Sequence, residues 1–245
     1  MKAARLHPWR VTPAEAAAIQ RRLAGLVRVG GALPRPPRLV AGADAAYSRS
    51  GGMVFAAVTV HAFPSLELVE RRCAARPALF PYVPGLLTFR EGPALVDAFG
   101  LVACAPDVVI FDGQGILHPR RMGVAAHMGV LLGVPTVGCA KSLLCGRCDE
   151  PGTARGAWTA VTGGGERLGA CLRTREGVRP VYVSPGFGLG LEAAVETVLS
   201  CTTRYRLPEP VRSAHRFAAL AKEDFEERAG EDGGVSGSLS DDGRR

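Results

Sequence analysis

Long apolar runs are missing from this chain. No uninterrupted apolar stretch approaches the roughly 20 residues that cross a bilayer. The basic N-terminus is not followed by an export-type apolar segment before Glu15, Gln20, Arg21 and Arg22. No membrane partner is therefore expected. Paired cysteines are also wanting. The seven cysteines are odd in number and scattered through apolar segments, which reads as reduced thiols in a cytoplasmic protein. Cys145 and Cys148 form one CxxC without a second pair or a spaced histidine pair, so no structural zinc site is expected.

Several catalytic signatures are absent too. There is no HExxH helix and no G-x-S-x-G elbow. Gly113-Gln114-Gly115 lacks the third glycine of a dinucleotide fingerprint, because His118 stands in its place. Lys141-Ser142 ends like a phosphate loop, but Ala140 replaces the glycine that such a loop needs. Zinc proteases, serine hydrolases and nucleotide-loop enzymes are set aside on these grounds.

What remains is a 245-residue chain, 47% hydrophobic, able to bury one substantial core. A single monomeric domain over residues 1–228 is expected, followed by a disordered Gly/Ser/Asp tail over 229–245. The net charge is +7, yet residues 222–245 hold eight acids against four bases, so the body is more basic than the total. Such a body suits a polyanionic partner, most simply nucleic acid.

The order of elements narrows the fold. Thr12, Pro13 and Glu15 form a capping box with proline at the first helical position, opening a helix that runs to Leu26. Leu39–Tyr47, Met53–Phe63 and Leu66–Ala74 read as an antiparallel meander. A helix to Leu101, a strand Val108–Asp112, a helix Met122–Leu132 and a strand Thr136–Cys139 follow. Trp158–Val161, Leu168–Arg173 and Val181–Val183 are further strands, and Leu189–Cys201 is an amphipathic helix. The expected class is α/β. A mixed sheet of three antiparallel strands and then parallel strands, with helices on both faces, resembles the ribonuclease H-like nucleases and transposases. In that architecture the first and fourth strands are neighbours.

Asp44 and Asp112 stand on those two strands. Both lie in apolar strands, where an unpaired carboxylate is costly. Glu91, on the helix after the meander, is the third acid. Carboxylates gathered in this way suit Mg²⁺ (with Mn²⁺ as substitute), which prefers oxygen ligands and serves phosphodiester hydrolysis. Downstream of Asp112 the run His118-Pro119-Arg120-Arg121 adds base beside acid. Tyr82 lies between Pro81 and Pro84, so its ring loses little entropy on being fixed, whether buried in a rigid turn or wedged into a stack.

The chain closely resembles the endonuclease V family. The matching segments are Val40–Asp44, Phe80–Pro93 (FPYVPGLLTFREGP), Pro106–Gly115 (PDVVIFDGQG), His118–Gly129, Pro135–Lys141 (PTVGCAK), Val183–Gly186 (VSPG) and Tyr205–His215 (YRLPEPVRSAH). The resemblance implies cleavage of the second phosphodiester 3′ to a deoxyinosine, with 3′-hydroxyl and 5′-phosphate ends. By motif, Asp44, Glu91 and Asp112 would bind the metal, Lys141 would be a cationic helper and His215 would complete the cluster. Pro81, Tyr82, Val83 and Pro84 would be the wedge. Leu87, Gly113, Gly115, Val124 and Leu144 would form the base pocket, and Arg90, His118, Arg120 and Arg121 would meet phosphates. The chain departs from the pattern at Phe187, commonly His, and at Ala126, usually Ser. An inosine-specific ribonuclease, a branched-DNA nuclease of the same fold and a non-catalytic lesion binder are the alternatives.

Overall fold

The computed structural model describes residues 1–33 and 35–233. Its centre is one eight-stranded sheet in the order β3-β2-β1-β4-β5-β8-β7-β6. The strands are β1 (Leu39–Tyr47), β2 (Met53–Ala62), β3 (Leu68–Pro77), β4 (Val108–Phe111), β5 (Thr136–Ala140), β6 (Trp158–Gly163), β7 (Glu166–Leu172) and β8 (Val181–Phe187). The helices are α1 (Pro13–Ala24), α2 (Leu87–Leu101), α3 (Val124–Leu132), α4 (Leu191–Ser200) and α5 (Glu209–Gly233). The capping box forms as expected, with Thr12 and Glu15 each satisfying the other's backbone.

β1, β2 and β3 make the antiparallel meander, and β1-β4-β5 are parallel. The three antiparallel strands followed by parallel strands are as expected; beyond β5, β8, β7 and β6 all pair antiparallel, a direction the sequence did not specify. The reason is local. No helix intervenes between β6 and β7, and Gly164-Gly165, both at positive φ, close a tight hairpin there.

Strand alternation divides the core in two. Val108 and Ile110 of β4 pack with α4 and the start of α5, whereas Val109 and Phe111 pack with α2 and α3. Helices thus cover both faces. α5 runs on to Gly233, into the segment expected to be tail, and the rest of that tail lies outside the described residues. No described helix is long and apolar enough to cross a membrane.

Candidate active site

The parallel strands deliver chemistry to one edge. Ala43 of β1 is in register with Phe111 of β4, and the Asp112 N–H donates to the Ala43 carbonyl at 3.1 Å. Asp44 and Asp112 therefore emerge side by side. β5 lies next to β4, and Lys141 follows its last residue at the same edge. Open α/β sheets place ligands at this carboxyl end of the strands.

His215 comes from the opposite face. A Cβ on Gly42 would sit 2.1 Å from the Pro210 carbonyl carbon, so only glycine lets the first turn of α5 lie against β1. Two residues further along the same face of β1, Asp44 Oδ2 accepts a 2.6 Å hydrogen bond from His215 Nδ1. The Lys141 ammonium pairs with Asp112 Oδ2. One ligand atom from each of Asp44, Asp112 and His215 lies within 4.8 Å of the others.

Electrostatics mark this as a strained cluster of acids. Burial, and then repulsion from Asp112, pushes Asp44 up to about 6, against the opposing bond from His215. Glu91, on the first turns of α2, is 8% exposed. Burial pushes it up to about 8, with Asp44 and Asp112 adding to the rise and a hydrogen bond from Tyr47 opposing it. Glu91 borders the group without joining the 4.8 Å set, and its Oε1 accepts from the Tyr47 hydroxyl at 2.7 Å. Burial and the neighbouring Glu91 push the Tyr47 phenol far up, so it stays a donor. Two carboxylates, an imidazole and a bordering carboxylate form an oxygen-rich set that fits a hard divalent cation, whose charge would relieve the repulsion.

A cavity of about 360 Å³ opens beside the acids. Asp112 and Lys141 line it together with Tyr82, Val83, Pro84, Leu87, Gly113, Val124 and Leu144. Gly113 takes φ +152°, and a Cβ there would meet Val124 Cγ1 at 2.6 Å, so the loop after β4 requires glycine. Gly115 is a correction to the expected pocket. It packs against Pro185 and Ser184 of β8 and its N–H donates to Ser184 Oγ, which leaves it outside the lining. A larger groove of about 1120 Å³ runs under residues 1–10 but contains none of the three acids.

The expected wedge stands at the cavity mouth, with Tyr82 71% exposed. The four residues expected to meet phosphates all have partners within the protein. Arg90 donates to the Phe80 carbonyl at 2.6 Å, on one side of the wedge. His118 Nε2, Arg120 and Gln20 converge on the Gly85 carbonyl at 2.9, 2.8 and 3.0 Å, on the other side. Arg121 holds the His118 carbonyl and pairs with Glu166. His118 is buried, and burial holds it down at about 4, so it is a neutral strut. Arg90 on one side and His118, Arg120 and Gln20 on the other clamp the wedge loop, while sequence showed only the charge of the arginines. His127 likewise supports the interior, bonded to His7 at 2.7 Å. Phe187 pairs with Thr136, at the end of β5 remote from Lys141, so its departure from the family pattern does not reach the acids.

Sequence reasoning missed Tyr47, Gln20 and Arg206, whose guanidinium holds the Lys141 carbonyl at 3.0 Å. Only the Tyr47 position carried a signal, since alternation from Asp44 turns it toward α2.

A family profile for endonuclease V matches residues 21–216. Endonuclease V of Roseiflexus sp. (strain RS-1) is 51% identical over 212 residues, covering 86% of this chain and 94% of that protein. Endonuclease V of Trichormus variabilis is 48% identical, covering 87% and 96%. The crystal structure of endonuclease V from Streptomyces avermitilis superimposes with TM-score 0.85 at 37% identity, covering 92% of this chain and all 100% of that one. A Ciona intestinalis endonuclease V, crystallised with a 23mer DNA containing an inosine followed by a ribo-adenosine, matches with TM-score 0.78 at 25% identity, covering 88% and 100%. This chain belongs to the endonuclease V family.

Proposed function

We propose that this protein is a divalent-metal-dependent repair endonuclease. It recognises deoxyinosine in DNA and hydrolyses the second phosphodiester bond 3′ to it, leaving 3′-hydroxyl and 5′-phosphate ends. One observation carries the reading. Asp112 and Lys141 line the base-sized cavity, and Asp112 also belongs to the clustered donor set. A base held in that cavity brings its own backbone past the acids. The relative crystallised with inosine-containing DNA supports the choice of ligand.

The chain's residues divide the work. Asp44 and Asp112 would hold Mg²⁺, or Mn²⁺ in its place, with Glu91 and His215 beside them. When bound, the cation lowers the pKa of a water and offsets charge on the reacting phosphate. The Lys141 ammonium, paired with Asp112, would supply a second positive charge near the scissile phosphate or the attacking water. His215 donates Nδ1–H to Asp44 Oδ2 while the Ala45 N–H donates to Oδ1, and the two together hold the carboxylate in place. Tyr82 fills the gap left by an extruded base, offsetting an unstacking cost of a few kcal/mol. α3 begins at Gly123 with no side-chain cap, and although the Gln114 carbonyl takes the Ala125 N–H, the Val124 amide at the cavity wall would be available to a keto oxygen. An amine at the same place would present a donor to a donor, which separates hypoxanthine from adenine.

The test is a duplex with one deoxyinosine, incubated with Mg²⁺ or with chelator, and the cut mapped to the nucleotide. A single nick at the second bond, lost with chelator and absent from the adenine duplex, is expected. No nick under either condition would overturn the reading. Because the Ciona ligand carries a ribo-adenosine after the inosine, chimeric and all-RNA inosine substrates belong in the same experiment. Faster cutting of those would make this an inosine ribonuclease, and preference for a four-way junction would make it a resolvase-like enzyme.

A further inference from the structure

We infer that Tyr47 is a positioning residue for Glu91: its hydroxyl fixes one carboxylate oxygen so that the other is presented to the Asp44–Asp112 pair, which tightens divalent-metal binding. The inference rests on the metal reading proposed above.

Alternation along β1 turns Asp44 toward α5 and Tyr47 toward α2, so one strand approaches the acid group from both faces of the sheet. The Tyr47 hydroxyl donates to Glu91 Oε1 at 2.7 Å, the one hydrogen bond to that carboxylate among the described residues. Glu91 sits on a packed helix among buried Thr88, Phe89 and Gly92, so its backbone has little freedom. A fixed backbone leaves the final side-chain torsions to decide where the oxygens point, and a short bond to one oxygen settles them.

Tyr47 is itself braced. The Arg90 guanidinium lies 5.0 Å from the centroid of its ring. That guanidinium is anchored by the Phe80 and Gly51 carbonyls, both at 2.6 Å. The turn after β1, the base of the wedge loop and the Tyr47–Glu91 bond are thus tied to one cation. Such outer contacts are what orient ligating groups at metal sites, and losing one typically weakens metal binding by roughly 10- to 100-fold.

Tyr47→Phe isolates the hydroxyl, because the ring and its stacking on Arg90 remain. Mn²⁺ binding to the DNA-free full-length protein is measured by calorimetry for wild type, Tyr47→Phe, Glu91→Gln and the double variant, with circular dichroism to verify folding. Tyr47→Phe should raise the Mn²⁺ Kd about tenfold, and its cleavage should recover toward wild type at saturating Mn²⁺. In the Glu91→Gln background the same change should add nothing, since its effect passes through that carboxylate. Equal Mn²⁺ affinity in wild type and Tyr47→Phe would overturn the inference, as would an equal loss in both backgrounds. A wild-type protein that binds no Mn²⁺ would instead remove the metal reading itself, and this inference with it.

Discussion

Asp112 is the residue on which the chemistry turns, because it touches both the donor cluster and the cavity. Asp112→Asn keeps the shape and removes the charge. Cleavage should fall by at least about a thousandfold, in line with the loss of one key electrostatic group. Binding of a deoxyinosine duplex, read by fluorescence anisotropy, should stay within a few fold. Glu91 gives a second test through stability. Its pKa rises from an ordinary 4.5 to about 8 on folding, so the folded chain binds the extra proton. The stabilisation is fully present below about pH 4.5 and is lost as pH rises through 8. In chelator the thermal midpoint should therefore fall by a few degrees between pH 6.5 and 8.5, and Glu91→Gln should remove most of that fall. Equal slopes for the two proteins would sink the assignment. At this scale Asp44 and Asp112 were legible in sequence because a carboxylate set in or just after an apolar strand is conspicuous. The arginines were not, since their acceptors are carbonyls distant in the chain, as Phe80 is for Arg90 and Gly85 for Arg120.

Elements decide whether those residues meet. α5 can lie on β1 only because Gly42 has no side chain, and its position sets that of His215. Gly42→Ala should destabilise the protein by about 1–3 kcal/mol in denaturant melts, as overpacking does. It should also lower cleavage at least as much as His215→Ala does, since the whole helix that carries His215 is displaced. The wedge makes the contrasting case. Tyr82 is 71% exposed, so Tyr82→Ala should leave the melting curve unchanged. Inosine-duplex binding should weaken, and a single-stranded inosine substrate should suffer less because no stack needs to be opened. The meander, the α1 cap and helices α1 to α4 were readable because local spacing and capping dictate them, whereas the full length of α5 was not. The direction of β6, β7 and β8 was not, since it depends on which edge of a distant strand they find. Gly115 misled for the same reason. Its neighbour is β8, some seventy residues away by the Ser184 contact, and no local pattern announces that.

Across the whole molecule, a basic body surrounds a few buried carboxyl groups whose burial resists ionisation. Attraction to backbone phosphate should therefore be general and salt-sensitive, while lesion choice rests on the cavity. The ratio of inosine to plain duplex affinity should rise with ionic strength even as both affinities fall. The sheet's one indispensable product is the meeting of residues 44, 112 and 215 at its carboxyl edge. Crystals soaked in Mn²⁺ and measured at the manganese absorption edge examine that meeting directly. The account predicts an anomalous peak between the Asp44 and Asp112 carboxylates, lost in Asp112→Asn. Strong manganese peaks elsewhere with none at these two residues would contradict it.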